Sequence, residues 1–303
     1  MQRLSRKSPN DLRHERKRIS QEPMKSGNHS RHRASSSKTN RTAPAAGSDS
    51  RPELLYGLHA VREALRAGNR PLQRLLVQRP DRQFADLVQQ AKAQHIPVHI
   101  EPTPVFDRLV PGGNHQGVIA VVAAKAYNST QQILELARQK AEPPFVLILD
   151  GVEDPHNLGA IVRTAEAAGV HGVFIPERRA AGLTSVVAKT SAGALEHMLV
   201  ARVVNLSRLM EELKEAGLWI YGVQPAGPSV FTAIDMTGPI AFVFGGEGGG
   251  IRRGIAQECD GLIRIPMHGK VQSLNVSAAV AVTVFEGVRQ RQLRREARPA
   301  TGP

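Results

Sequence analysis

The chain predicts an α/β protein, with a small N-terminal α/β unit followed by a larger parallel sheet covered by helices on both faces. Three observations carry this. Short runs rich in Val, Ile and Leu alternate with amphipathic segments from about residue 54 to 291. FVLILD (145–150) is apolar almost throughout, the pattern of a parallel strand buried on both faces. A glycine-dense turn (245–250) and a polar cluster, Ser273-Leu274-Asn275, each follow such a strand, and open α/β sheets bind ligands outside the carboxyl ends of their strands.

Composition bounds the rest. The 303 residues suffice for about two domains. The single cysteine, Cys259, excludes a disulfide framework within one chain and a multi-cysteine zinc site, and fits a reducing compartment such as the cytoplasm. No uninterrupted apolar run is long enough to cross a bilayer, so a soluble chain and no membrane partner are expected. The net charge of +13 and pI near 10.5 favour a polyanionic partner. Most of this charge is local, since residues 1–51 hold 13 Lys+Arg against 4 Asp+Glu. Residues 1–52, rich in Arg, Ser and Asn and poor in apolar side chains, read as a disordered basic tail. The tail has no apolar core of a secretory signal, and Asp11, Glu15 and Glu22 argue against a transit peptide. It reads as a phosphate-binding arm or as a solvated extension without a dedicated partner.

The first unit spans 53–125. LLYGLHAVREALRAG predicts a helix stopped at Gly68, with Val61 and Leu65 one turn apart. Strands are expected at 72–78, 96–100 and 117–123, with helices at 85–95 and 102–110. His59, His95, His99 and His115 stand singly, without a second metal ligand in register. Residues 126–143 form a linker with a helical piece whose Ile133, Leu134 and Ala137 share a face, and Pro143-Pro144 closes it.

The second unit spans 144–291, with a C-terminal tail at 292–303. After FVLILD, a helix runs to a Gly169 stop, with Asn157 as its N-cap and Leu158, Ile161, Ala165 and Ala168 on its apolar face. Strands follow at 171–175, 200–204, 218–223, 240–244 and 261–266, with helices at 184–198, 206–217 and after Asn275. Arg163, in the second turn after a strand's carboxyl end, is either an exposed arginine or a planar fork for a phosphate or carboxylate. The turn with Gly245, Gly246, Gly248, Gly249 and Gly250 lacks the GK[ST] of a phosphate loop and fails G-x-G-x-x-G in every frame. Its glycines permit close backbone approach to a flat ligand and present Glu247 rather than bury it. Ser273 and Asn275 read equally as caps of the final helix.

Three segments share a pattern that none carries alone. N-x-G-x-x-x-R at Asn157, Gly159 and Arg163, G-x-E-x-x-G at Gly245, Glu247 and Gly250, and IPM-x-G-x-x-x-SLNVS-x-A at Ile265 to Ala279 resemble, in order, the three motifs of the SpoU (TrmH) family of RNA ribose 2′-O-methyltransferases. YGLHAVREAL and HQGVIAVV resemble the N-terminal RNA-binding domain of its RlmB-type members, which act on a guanosine of 23S rRNA. The resemblance implies a trefoil-knotted C-terminal domain that binds S-adenosylmethionine. It implies cofactor contacts at Gly245, Ile265, Met267 and Leu274, and a catalytic set of Asn157, Arg163, Glu247, Ser273 and Asn275. It also implies a homodimer with each site completed across the interface. From the single cysteine and the scattered histidines, no metal site is expected.

Methyl transfer from a sulfonium to a ribose hydroxyl needs in-line positioning and a proton acceptor. A guanidinium stays protonated at neutral pH, so Arg163 is expected to clamp a phosphate and the hydroxyl, held in plane by Asn157 and Glu247. Ser273 and Asn275 would orient the nucleotide and the loop. A tRNA ribose methyltransferase and a non-catalytic ribosome-assembly factor are the alternatives. The failed dinucleotide fingerprint argues against an oxidoreductase.

Overall fold

The computed structural model describes residues 52–79 and 81–297, which carry a four-stranded and a seven-stranded sheet. The expectations for the basic tail (1–51) and the last six residues (298–303) lie outside the described residues. The first unit contains β1 (Glu53–Tyr56), α1 (Leu58–Ala67), β2 (Leu72–Val77), α2 (Ala85–Ala93), β3 (Val98–Ile100), α3 (Thr103–Leu109) and β4 (Val118–Val122). Their order in the sheet is β1-β4-β2-β3. The helix expected from Leu54 is corrected, because residues 53–56 pair antiparallel with Ile119–Val122 and the helix starts only at Leu58. Gly57, at φ 95°, makes the break. The small apolar face of α1 (Ala60, Val61, Ala64, Leu65) is buried on one side of the sheet. Phe106 of α3 packs with Tyr56, Leu76 and Ile119 in a separate cluster.

The segment 126–143 is docked rather than loose. A capping box between Ser129 and Gln132 starts α4 (Thr130–Gln139), which buries Ile133 and Ala137. Asn128 pairs with Ala201 of the second sheet.

The second unit contains β5 (Phe145–Asp150), α5 (Pro155–Ala167), β6 (Gly172–Pro176), α6 (Ser185–Thr190), β7 (Val200–Val203), α7 (Leu206–Glu215), β8 (Trp219–Val223), β9 (Ser229–Val230), β10 (Ile240–Gly245), α8 (Arg253–Glu258), β11 (Gly261–Arg264) and α9 (Val276–Glu296). Its strands pair in parallel in the order β7-β6-β5-β10-β8-β11-β9. From β5 the chain steps outward through β6 and β7, then returns to the other side, where β10 inserts between β5 and β8. The crevice beyond the carboxyl ends of β5 and β10 is therefore a topological switch point, where such sheets bind ligands.

Four further elements depart from expectation. The helix expected over 184–198 ends at Thr190, because Gly193 turns the chain at φ 90° before a single 3₁₀ turn at Ala194–Glu196. The two-residue β9 and six-residue α8 are too short for periodicity to reveal. Helix α9 continues past residue 291 to Glu296. Arg291 anchors it, donating to the carbonyls of Met236, Pro143 and Gly238 with its guanidinium over the Phe145 ring. Burial lowers the Arg291 pKa to about 10. No helix among the described residues is long and apolar enough to cross a membrane.

The two sheets share one apolar cluster, in which Leu55, Val61 and Leu65 join Leu158, Val187 and Leu195. At the junction Arg70 donates to Glu196 at 2.6 Å, with both side chains almost fully buried. Asn69 and Lys125 donate to the Glu196 carbonyl. Removing Glu196 leaves the buried Arg70 with only the longer ion pair to Glu53 at 3.7 Å, a poorly compensated charge. Glu196→Ala is thus expected to lose about 3–5 kcal/mol in denaturant unfolding, whereas Arg70→Met with Glu196→Leu recovers most of it.

Burial pushes the Cys259 thiol up to about 11, where it stays protonated against the Ile255 carbonyl. Native Cys259 is therefore expected to react with iodoacetamide at pH 8 at least ~10-fold slower than the unfolded chain, because the thiolate is the nucleophile.

Candidate active site

At the switch point β5 ends in Asp150, which is 2% exposed. Its carboxylate accepts from the Arg252 backbone N–H at 2.9 Å and from Arg252 Nε at 2.7 Å. This ties the far end of the glycine turn to β5. Gly246 N–H also donates to the Asp150 carbonyl, and Gly246 and Gly250 form an antiparallel bridge. A Cβ at Gly245 would lie 1.9 Å from the Gly250 backbone, and one at Gly246 would lie 1.8 Å from the Gly151 carbonyl oxygen. The Cβ side of these two glycines is filled by the chain's own backbone, and both still line the cavity described below. Gly248 and Gly250 supply positive φ. Glu247 is exposed at the apex, as expected.

Helix α5 follows β5. Its N-cap is Asp154, which accepts from His156 N–H, with Pro155 in the first turn. Asn157 is therefore not the cap. It sits one turn in, buried, and its side chain is free for other partners. Asn157 Nδ2 donates to Glu247 Oε1 at 2.7 Å. Asn275 Nδ2 donates to Asn157 Oδ1 at 2.9 Å and to Glu247 Oε1 at 3.1 Å. Asn275 Oδ1 meanwhile accepts from Ser277 N–H and caps α9. The two readings of Asn275 hold together, since its oxygen starts the helix and its nitrogen closes a polar cluster drawn from three separate segments. Gly159 allows α5 to approach α6, because a Cβ there would lie 1.8 Å from Thr190 Oγ1.

Arg163 does not join this cluster. Six residues beyond Asn157 it lies on a different face of α5 and is exposed, with no hydrogen-bond or ion-pair partner among the described residues. Within one chain Asn157 and Glu247 bond to each other and to Asn275, and not to the Arg163 guanidinium. Ser273 is exposed and makes no hydrogen bond among the described residues, so it is not a cap.

Beside the cluster opens a cavity of about 570 Å³, lined by Gly245, Ile265, Met267, Leu274 and Ser273 as well as Glu247 and Asn275. This volume falls in the range of small-molecule sites. Met267 and Leu274, 36% and 39% exposed, are apolar walls left open to solvent. The Val223-Gln224-Pro225 corner at the end of β8 also lines it. Sequence reading missed this corner and the Asp150–Arg252 tie, and the only signal for either was a polar residue at the carboxyl end of a strand. Among the described residues no group of His, Cys, Asp or Glu is arranged to hold a metal ion.

The family model described as SpoU rRNA Methylase family matches residues 144–285, and the one described as RNA 2′-O ribose methyltransferase substrate binding matches residues 54–128. YacO of Bacillus subtilis, named as a TrmH family tRNA/rRNA methyltransferase, is 43% identical over 240 residues, covering 79% of this chain and 96% of that relative. The structure of an AdoMet-bound rRNA methyltransferase from Sinorhizobium meliloti aligns with TM-score 0.66 at 26% identity, over 79% of this chain and 87% of that one. The SpoU methyltransferase AviRb from Streptomyces viridochromogenes aligns with TM-score 0.69 at 25% identity, over 81% and 92%. Two family models in the expected order, and a 43% identical relative matched over nearly its whole length, establish that the chain belongs to the SpoU (TrmH) family of RNA methyltransferases.

Proposed function

We propose that the chain methylates the ribose 2′-hydroxyl of a guanosine in 23S rRNA, with S-adenosylmethionine as methyl donor. The observation that carries this reading is the Asn157–Glu247–Asn275 cluster at the rim of the large cavity. The cavity fits the cofactor class in volume, in its backbone-rich glycine wall and in its open Met267 and Leu274 side chains. Gly245, Ile265, Met267 and Leu274 would hold the cofactor, within a trefoil knot formed by the chain from β10 through α9. When bound there, S-adenosylmethionine supplies a methyl group activated by its sulfonium.

The chain's own residues do the rest. Glu247 commits Oε1 to two amide donors, while Oε2 has no hydrogen-bond partner among the described residues. Oε2 accepts the ribose 2′-hydroxyl and takes its proton as the oxygen attacks, and the amides of Asn157 and Asn275 fix the carboxylate for that role. Ser273, open on the cavity wall, orients the nucleotide.

Arg163 acts on a neighbouring copy. It is exposed and unpartnered on α5, which packs on α9, and α9 leaves Val282 and Phe285 exposed. A homodimer through this face covers those apolar groups and gives the Arg163 fork a partner site in which to clamp phosphate. Residues 53–125 serve as the RNA-binding domain, 126–143 as a docked connection and 144–291 as the methyltransferase domain, acting in the cytoplasm.

The test is transfer of radiolabelled methyl from S-adenosylmethionine to separate pools of unmodified 23S rRNA and tRNA, with mapping of the labelled ribose. Label at one guanosine of 23S rRNA is expected. Label in tRNA alone would overturn the substrate, and no label in either, with the cofactor bound, would favour an assembly factor.

A further inference from the structure

On the other side of the glycine turn lies a second, smaller cavity of about 150 Å³. It shares Gly246, Glu247, Gly249 and Gly250 with the larger one, and its charged lining is Arg178, Arg179 and Arg252 together with Asp150 and Glu153. It sits outside the carboxyl ends of β5, β6 and β10. A nucleotide whose ribose reaches Glu247 from outside the cofactor cavity would have its backbone here.

The loop between β6 and α6 that supplies Arg178 and Arg179 is held on both sides. Glu177 N–H donates to the Val203 carbonyl, and Arg202 donates to the Glu177 carbonyl at 2.8 Å. Ala181 N–H donates to the Val152 carbonyl, and Leu183 N–H donates to the Tyr127 hydroxyl. Between these ties Arg178 and Arg179 are exposed and have no ion-pair or hydrogen-bond partner among the described residues. Arg179 is held at φ 58°, a conformation that few non-glycine residues adopt. The loop is thus fixed while its two guanidinium groups stay unpaired.

The charges around the cavity narrow the ligand. Arg252 is committed to Asp150, and Glu247 Oε1 is committed to the two amides. That leaves two free planar forks in the same cavity lining as Glu153 and Glu247. Forks of this kind match phosphate oxygens in a bidentate manner. The carboxylates oppose a small free anion but accept hydroxyls, so the site suits a phosphodiester attached to ribose rather than inorganic phosphate.

We propose that Arg178 and Arg179 form a phosphodiester-binding subsite that holds the substrate RNA backbone next to the ribose being methylated. The proposal rests on the methyl-transfer reading above, and its test reads RNA binding separately from chemistry. Full-length protein and the Arg178→Ala/Arg179→Ala and Arg178→Lys/Arg179→Lys pairs would be titrated with an unmodified 23S rRNA transcript over a salt series. Binding of radiolabelled S-adenosylmethionine would be measured alongside.

The alanine pair is expected to weaken RNA binding by about tenfold or more and to reduce the salt slope by about 1–2, because a phosphate without its arginine keeps its condensed counterions. Cofactor affinity stays unchanged, and the lysine pair keeps the slope. An alanine pair that binds RNA with unchanged affinity and slope would overturn the subsite. A lysine pair that loses the salt slope as fully as the alanine pair would place the effect in loop packing and overturn it equally. A wild-type protein that binds the transcript but transfers no methyl would sink the catalytic reading, while the slope comparison would still decide the subsite.

Discussion

Gly246→Ala is expected to destabilise the chain by about 3 kcal/mol and to abolish measurable cofactor binding, because the new methyl group must displace backbone. Its Cβ would stand 1.8 Å from the Gly151 carbonyl oxygen, and Gly151 follows the strand end that holds the turn through Asp150. Neither side is a flexible side chain that could swing away. The neighbouring Gly249 provides the control. No atom lies within 4 Å of its Cβ position and its φ is not in the left-handed region, so Gly249→Ala is expected to change stability by less than about 0.5 kcal/mol. Denaturant unfolding of both variants decides the point. Equal effects would mean that the turn's glycines act through general flexibility rather than close packing.

Asn275→Asp separates the two duties of one side chain. Aspartate caps helices about as well as asparagine, so α9 is retained and the unfolding midpoint moves little. The amide donor is lost, and a carboxylate oxygen then faces Glu247 Oε1, where Asn275 Nδ2 stood 3.1 Å away. The turnover number is expected to fall about 10²–10³-fold, as when a single preorganised donor is removed from a catalytic site. Part of the rate should return on lowering the pH, because a proton shared between two facing carboxylates restores a donor. Asn275→Ala, by contrast, loses the cap as well, at about 1 kcal/mol of stability. An aspartate variant with turnover within threefold of the parent would remove Asn275 from the mechanism.

The sequence made the strands of the second sheet readable because FVLILD, IAFVF and GLIRI are apolar runs bounded by glycine or proline. Each expected catalytic residue except Arg163 reaches the same rim, since strand ends and helix starts converge there. What was hidden depends on tertiary pairing. Residues 53–56 read as helix until β4 supplies a partner for them. Asn157 looks like a cap until Asp154 takes that duty and leaves the amide free. The side of α5 on which Arg163 emerges follows from helix rotation, but its lack of a partner is visible only when the whole chain is folded. Arg178 and Arg179 carry no motif, and their pairing with the glycine turn arises from strand order alone.

The most direct measurement of the composite site is subunit mixing. Arg163→Ala and Asn275→Asp proteins, each nearly inactive alone, would be mixed in equal amounts under conditions that allow exchange, and methyl transfer to 23S rRNA would be followed. If Arg163 serves the partner's site, every mixed dimer has one intact site, and activity rises to about a quarter of the wild-type value. If the mixture stays at the level of its parents while exchange is demonstrated, Arg163 and Asn275 work within one chain and the composite site is wrong.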